Sequence, residues 1–170
     1  CNLLTPMTAV AAVKAIEEVL KIKTDIKWVN DIYHNGKKVA GILTKAAFSS
    51  QNKTDYVIVG IGINLTEPEG GFNEEIKDIA SALRKEVTYT ERDRLVGVFL
   101  REFLSYYNDM PKLTFSEEYK NRLLYIGEKI TVREKESLYE ATVTGTDERL
   151  RLKVRTENGG KKTLYTEEIT

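Results

Sequence analysis

Three short stretches carry the residue types that could do chemistry: Lys27-Trp28-Val29-Asn30-Asp31, Lys38-Val39-Ala40-Gly41-Ile42-Leu43 and Gly60-Ile61-Gly62-Ile63-Asn64. Lys38 is a compact cation on a flexible stem, suited to sit beside a carboxylate or a phosphate. Asn30 and Asn64 end apolar runs, and each side-chain amide offers a paired donor and acceptor for another amide or an adenine edge. Gly41, Gly60 and Gly62 interrupt β-branched sequence, where a missing side chain marks a bulge or a close approach by another group. Each has a bland alternative. A lysine after a turn is usually solvated, an asparagine at a strand end caps a turn, and a strand glycine lets a helix pack closely. His34 lies in a turn with no second His or Cys to help hold a metal, and Cys1 has no base partner, so no metal site is expected.

Composition narrows the classes. The 170 residues are 41% hydrophobic and 31% charged, which is the make-up of a globular protein with a real core. Twenty-six basic residues balance twenty-six acidic ones, so no excess positive field favours nucleic acid. One Cys cannot build a disulfide framework, and no apolar run is long enough to span a bilayer, so a cytoplasmic setting is expected. The chain opens Cys1-Asn2 without an initiator Met and reads as part of something longer.

The elements that must position these residues follow from spacing. Thr5-Pro6 marks a helix start, with Thr5 as cap and Pro6 at the first helical position, and Val10, Val13, Ile16 and Leu20 give the helix a buried face. A strand over Ile26–Val29, a hairpin turn at Asn35-Gly36, a strand from Lys38 to about Phe48 and a strand over Tyr56–Asn64, apolar enough to be buried on both faces, form an antiparallel meander. Helices are predicted over Asn73 to about Lys85, over Thr90 to about Asn108 with Thr90 and Asp93 in capping-box spacing, and over Phe115 to Leu124. The aromatic stretch at Tyr106 and Tyr107 reads as core. After Gly127 the period becomes two, and the short strands predict a small closed SH3-like β-barrel, which would remove its own edges. The fold class is α+β, with a boundary near residues 124–127 that gives units 1–125 and 126–170.

In order and spacing the three stretches resemble the hallmark of the biotin-protein ligases: Lys-Trp-Pro-Asn-Asp, then Lys-x-x-Gly-Ile-Leu on a hairpin, then a Gly-x-Gly-Ile-Asn strand. The resemblance implies the second half of a class II synthetase-like catalytic sheet with helices, followed by the barrel. It implies that biotin and ATP are substrates, with Mg2+ expected alongside ATP, and that biotinyl-adenylate is formed and transferred to a lysine of a carboxylase's biotin carboxyl carrier domain. It makes Lys38 the catalytic cation on the biotin carboxylate. Gly41, Ile42, Gly60 and Gly62 would line the biotin pocket, and Asn30 and Asn64 would face the adenylate. The absent N-terminal half and a second copy of the chain are further partners that this reading admits.

Departures from the pattern set alternatives. Val29 stands where the family has Pro, and the chain ends Tyr165-Thr166-Glu167-Glu168-Ile169 where the family commonly has Gly-Glu before a small apolar residue. The family's Ser/Thr-rich strand and Arg/Gly-rich adenylate loop are not in this sequence, so the isolated chain is expected to have little or no ligase activity. A noncatalytic biotin- or carrier-binding module and a lipoate-ligase relative are the rival readings. Arg149, Arg151, Lys153 and Arg155 alternate with apolar residues, either as a solvated face or as a docking stripe for an acidic carrier.

Overall fold

A computed structural model describes residues 3–51, 53–165 and 167–170, so Cys1 and Thr166 fall outside the described residues. The chain starts with α1 (Leu4–Leu20), in which Met7, Ala9 to Val13, Ala15 and Ile16 are fully buried. A helix apolar on nearly every side belongs in the middle of a fold. Thr5 does not cap it: the preceding residue is Leu3, no side chain closes the first turn, and Thr5 Oγ1 instead meets Thr44 Oγ1 at 2.9 Å. Pro6 is tolerated because the first-turn N–H groups have no partner within a helix.

Four antiparallel strands follow in sequential order: β1 (Asp25–Lys27), β2 (Asp31–His34), β3 (Lys37–Phe48) and β4 (Thr54–Ile63). The predicted strand over Ile26–Val29 thus splits, with β1 stopping at Lys27 and a turn over Trp28–Asn30 leading into β2. Asn35 and Gly36, at φ 50° and 75°, make the β2–β3 turn, the left-handed pair that Asn-Gly supplies. In this turn Asn35 Nδ2 donates to His34 Nε2 at 3.0 Å, and His34 Nδ1 lies 2.9 Å from the Lys23 carbonyl. β4 is not buried on both faces. Val57, Val59, Ile61 and Ile63 are half-buried on one side, and Tyr56 and Ile58 are exposed on the other.

The helix predicted over residues 73–85 is replaced by turns, because its backbone is used elsewhere. Asn73 Oδ1 takes the Ile76 N–H, while Ile79 and Ser81 pair with Lys38 and Leu83 N–H reaches the Asn64 carbonyl. Next comes α2 (Tyr89–Asn108), which packs along α1. Its capping box is Thr88 with Glu91, two residues earlier than the Thr90–Asp93 pair: Thr88 Oγ1 accepts from Glu91 N–H at 3.2 Å, and the longer Glu91 side chain reaches back to Thr88 N–H at 2.9 Å. Tyr106 meets Phe115 edge-on at 6.0 Å as half-buried packing, whereas Tyr107 is exposed.

After α3 (Ser116–Asn121), Arg122 ties the helical layer together. It donates to Glu118 at 2.8 Å, to the Thr24 carbonyl at 3.2 Å and to Glu17. That hydrogen bond holds the Glu17 carboxyl below the usual glutamate range, against an opposing push from burial. A carboxyl with a lower pKa folded than unfolded stabilises at neutral pH, and its contribution is lost as pH falls through the folded value. Replacing Arg122 by Met is expected to cost about 2 kcal/mol, less than a fully buried pair because the site is partly wet. It should also flatten the loss of stability on acidification between about pH 5 and pH 3. Urea denaturation of both proteins across that range is the check.

The chain turns at Tyr125 and Gly127, both with positive φ, into β5 (Lys129–Glu134), β6 (Ser137–Thr146), β7 (Leu152–Thr156), β8 (Lys161–Thr163) and β9 (Glu168–Ile169). They pair in the order β8-β7-β6-β5-β9, all antiparallel. The expected SH3-like barrel does not form: β8 and β9 lie at opposite edges and no pairing joins them among the described residues. Closure is not needed to protect such edges. They are only three and two residues long, and β8 carries Lys161 and Lys162. The apolar face, with Val132, Val143, Leu152 and Leu164, joins one hydrophobic cluster with α1 and Trp28 rather than curling on itself.

The four-cation stripe does not form either. Arg149 lies on a turn and Arg151 pairs with Asp147 at 2.5 Å, which leaves Lys153 and Arg155 exposed on β7. No described helix is long and apolar enough to cross a membrane.

Candidate active site

Lys38 owes its position to an irregularity in the sheet. Ile32 pairs with Ala40 but Tyr33 pairs with Lys38, so β3 has one extra residue, Val39, at that step. Such a bulge changes which side the following residues face. Without it Lys38 would share the side of Ala40 and Ile42, which are buried. With it, Lys38 lies on the side of Gly41, whose missing Cβ would stand 3.2 Å from Lys38 Cε and 3.5 Å from Asp31 Oδ1. The backbone is fixed from the other side. Lys38 N–H donates to the Ile79 carbonyl at 2.8 Å, and Ser81 N–H donates to the Lys38 carbonyl at 2.9 Å.

One face therefore gathers a charged end and a bare floor. At the charged end Lys38 Nζ is 2.6 Å from Asp31 Oδ1, and Asp31 pairs in register with Lys27. Lys27 Nζ lies 5.5 Å from the centre of the Tyr33 ring. Burial holds the Lys27 ammonium below its usual range; Asp31 and Glu168 oppose that and Lys38 adds to it. The floor is Gly41 paired with Gly62 and Leu43 paired with Gly60, and beyond it Lys45 pairs with Ile58. A Cβ on Gly62 would meet nothing within 4 Å, so the space above it is open. The arrangement suits a molecule with an anionic end and a flat or apolar body.

The other candidates sit around this face in different ways. Ile42 is buried with its side chain away from the floor, so only its backbone lies at the site. Its carbonyl accepts from Asn30 Nδ2 at 3.0 Å and its N–H donates to the Asn30 carbonyl at 2.9 Å. Asn64 Nδ2 donates to the Ser81 carbonyl at 3.2 Å, in the segment that pins Lys38. Both amide N–H groups thus serve the fold. Lys27 and Asp31 lie in the same stretch as Asn30, and sequence reasoning passes them over. Strict alternation within β1 and β2, which puts Lys27 and Asp31 on one face, is the signal that could have found them. Among the described residues no group of three His, Cys, Asp or Glu side chains could hold a metal.

The two glycines facing each other across the strands make a clean test. Gly62→Ala is expected to leave the chain as stable as before or more stable by about 0.5 kcal/mol, since alanine restricts the unfolded chain and meets no neighbour here. Gly41→Ala crowds the tip of Lys38. Both should weaken binding of a ligand lying on the floor by about tenfold or more, as methyl-sized obstructions in a fitted site do. Thermal unfolding read beside calorimetric titration with a ligand that carries a carboxylate on an apolar body separates the two effects.

The sheet-and-helix fold that carries this face is that of the class of biotin and lipoate protein ligases, as likeness to known proteins shows. The sequence profile of the biotin/lipoate A/B protein ligase family matches residues 3–64. The chain is 35% identical over 170 residues to the bifunctional ligase/repressor BirA of Bacillus subtilis, covering 98% of this chain and 52% of that protein. To the biotin–[acetyl-CoA-carboxylase] ligase of Mycobacterium tuberculosis it is 33% identical over 115 residues, which is 65% of this chain and 39% of that one. The apo biotin protein ligase of Aquifex aeolicus superposes with a TM-score of 0.78 at 26% identity, over 98% of this chain and 74% of that one. A mutant of that ligase in complex with biotin gives a TM-score of 0.81 at 25% identity, over 98% and 70%. The chain belongs to the biotin-protein ligase family. It spans about half the length of the BirA relatives it matches.

Proposed function

We propose that this chain is part of an ATP-dependent biotin-protein ligase, and that Lys38 binds the biotin carboxylate while the body of biotin lies on the floor of Gly41, Gly60 and Gly62. In this reading a carboxylate oxygen of biotin attacks the α-phosphorus of ATP and pyrophosphate leaves. A lysine amine of a biotin carboxyl carrier domain then attacks the acyl carbon and AMP leaves. Lys38 offsets the repulsion between two anions brought together, a fixed cation aimed at charge that builds in the transition state. Asn30 and Asn64 each keep a carbonyl oxygen for the adenylate, and Mg2+ arrives with ATP as part of that substrate. Residues 1–125 are the later part of the catalytic unit, residues 126–170 follow as the second sheet, and the rest of the catalytic unit precedes residue 1.

The observation that carries this reading is the bulge at Val39, which brings Lys38 and Asp31 to the same face as the paired glycines. Calorimetry tests it with biotin and with a stable biotinyl-adenylate mimic, on this chain alone and mixed with the polypeptide that precedes it. Binding is expected only in the mixture. No binding in the mixture would sink the ligase reading, and tight binding to the chain alone would remove the need for the preceding part.

A further inference from the structure

Two Asn-Gly pairs occur in the chain, Asn35-Gly36 between β2 and β3 and Asn158-Gly159 between β7 and β8. An asparagine followed by glycine can modify itself: the glycine backbone nitrogen attacks the asparagine side-chain carbonyl carbon, ammonia leaves, and water opens the resulting succinimide to aspartate or isoaspartate. Glycine favours the attack because no Cβ shields its nitrogen. The fold decides whether the reaction runs. The attacking N–H must be unbound, the leaving nitrogen must have a group from which to take a proton, and water must reach the turn.

The two turns differ at those atoms. Among the described residues no hydrogen bond holds the Gly36 N–H, Asn35 and Gly36 are both exposed, and a Cβ on Gly36 would meet nothing within 4 Å. Asn35 Nδ2, the nitrogen that would leave, lies 3.0 Å from His34 Nε2. The other ring nitrogen, Nδ1, is 2.9 Å from the Lys23 carbonyl. A carbonyl only accepts, so Nδ1 carries its proton permanently and Nε2 is the nitrogen that gains and loses one beside the amide. At the second pair the corresponding atoms are occupied. Gly159 N–H donates to the Thr156 carbonyl at 2.9 Å, and Asn158 Oδ1 accepts from Thr156 Oγ1 at 2.5 Å and from Gly160 N–H at 3.4 Å. Asn158 must break these bonds before it can react.

We infer that Asn35 is a self-modification site on the hairpin that carries Lys38, converted without an enzyme to aspartate and isoaspartate, with His34 as the proton donor to the departing ammonia. The Gly36 nitrogen bonds to Asn35 Cγ and gives its proton to solvent. His34, as imidazolium, passes the Nε2 proton to the amide nitrogen as the C–N bond breaks, and returns to the neutral form with Nδ1–H on the Lys23 carbonyl. Water then adds to one of the two ring carbonyl carbons, so asparagine and water become an acid and ammonia. Addition at the main-chain carbon gives isoaspartate, which carries Cβ into the backbone. The turn has two residues, both at positive φ, and it sets His34 against Lys37 and Tyr33 against Lys38. An extra backbone atom there undoes that register, so the modification limits how long the hairpin holds Lys38 in place. It needs no ligand and stands apart from the proposed function.

The test ages the purified chain at physiological temperature and maps its tryptic peptides by liquid chromatography and mass spectrometry, which separate asparagine, aspartate and isoaspartate at each site. Asn35 is expected to convert about tenfold or more faster than Asn158, since the hydrogen bonds at Asn158 and Gly159 must open first. In urea the two rates should converge, because both turns are then unfolded and glycine follows each asparagine. His34→Gln leaves a polar side chain that cannot pass a proton, so it should slow conversion at Asn35 by about tenfold or more and leave Asn158 unchanged. In the isoaspartate form, amide exchange over residues 33–38 should quicken by about tenfold or more. Asn35→Asp, which adds the charge without the extra backbone atom, should exchange there like the parent. The inference is overturned if Asn158 converts as fast as Asn35 in the folded chain, if the difference survives urea, if His34→Gln converts at the parent rate or faster, or if the isoaspartate form keeps the parent's protection over residues 33–38.

Discussion

Replacing Lys38 by Met in the complete ligase is expected to lower the rate of adenylate formation by about a hundredfold to a thousandfold, the loss that follows removal of one preorganised charge-stabilising group. The substitution keeps the length and the apolar stem. What it removes is a positive group paired with Asp31 beside the glycine floor, its backbone anchored by Ile79 and by Ser81. Without it Asp31 faces the incoming carboxylate directly, and three anionic groups converge where one cation stood. The loss should fall mainly on kcat, because the repulsion between carboxylate and α-phosphate grows as the new bond forms. Lys38→Arg should restore little, since a planar fork cannot replace a compact ammonium in the space left by Gly41. Stability should change by less than about 1 kcal/mol, as the side chain is partly exposed and its ion pair is worth little to the fold. Single-turnover measurement of pyrophosphate release, read beside thermal unfolding, checks both halves. Adenylate formation at the parent rate would remove Lys38 from the chemistry.

Much of this site was legible in the sequence because its parts obey local rules. Asn35-Gly36 made a hairpin because the turn needs two positive φ values, and that hairpin put Lys38 at the start of a strand. The glycines announced bare backbone by type alone. The bulge could not be read, since Val39, Ala40 and Ile42 are all apolar and fit either side of a strand. The surroundings were harder again. An apolar run over residues 56–64 predicted burial on both faces, yet the described chain covers only one of them. Apolar spacing at Ile76, Ile79, Ala80 and Leu83 suggested a helix, but pairing with Lys38 and Asn64 took that backbone first. The second sheet shows the same limit: alternation gave its strands, whereas open or closed is settled by what covers the apolar face, and Trp28 and α1 do so from far away in sequence.

Trp28→Ala is the substitution expected to cost the fold most, about 3–5 kcal/mol, the range for truncating a large buried aromatic side chain. Trp28 is 5% exposed, and its indole N–H donates across the interface between the two sheets to the Leu150 carbonyl at 3.4 Å. Leu150 itself sits at φ 60°, a conformation that leucine adopts only when its surroundings impose it. Removing the indole opens a void between the sheets and frees that loop at once. Trp28→Phe keeps most of the bulk and loses the donor, so it should cost less, about 1–3 kcal/mol for the unsatisfied carbonyl and the smaller ring. In Trp28→Ala the second sheet should unfold separately from the α1 layer, turning one urea transition into two when circular dichroism is compared with exchange protection in residues 129–169. The consequence reaches the site. Trp28 anchors the turn that ends in Asn30 and leads into Asp31, so a loosened turn should also broaden the position of the carboxylate that holds Lys38. Trp28 is the single tryptophan, so its fluorescence can follow unfolding of the parent protein alone, and the variants are followed by circular dichroism. A single transition in Trp28→Ala with a loss under about 1 kcal/mol would mean that the two sheets are held together by something other than this side chain.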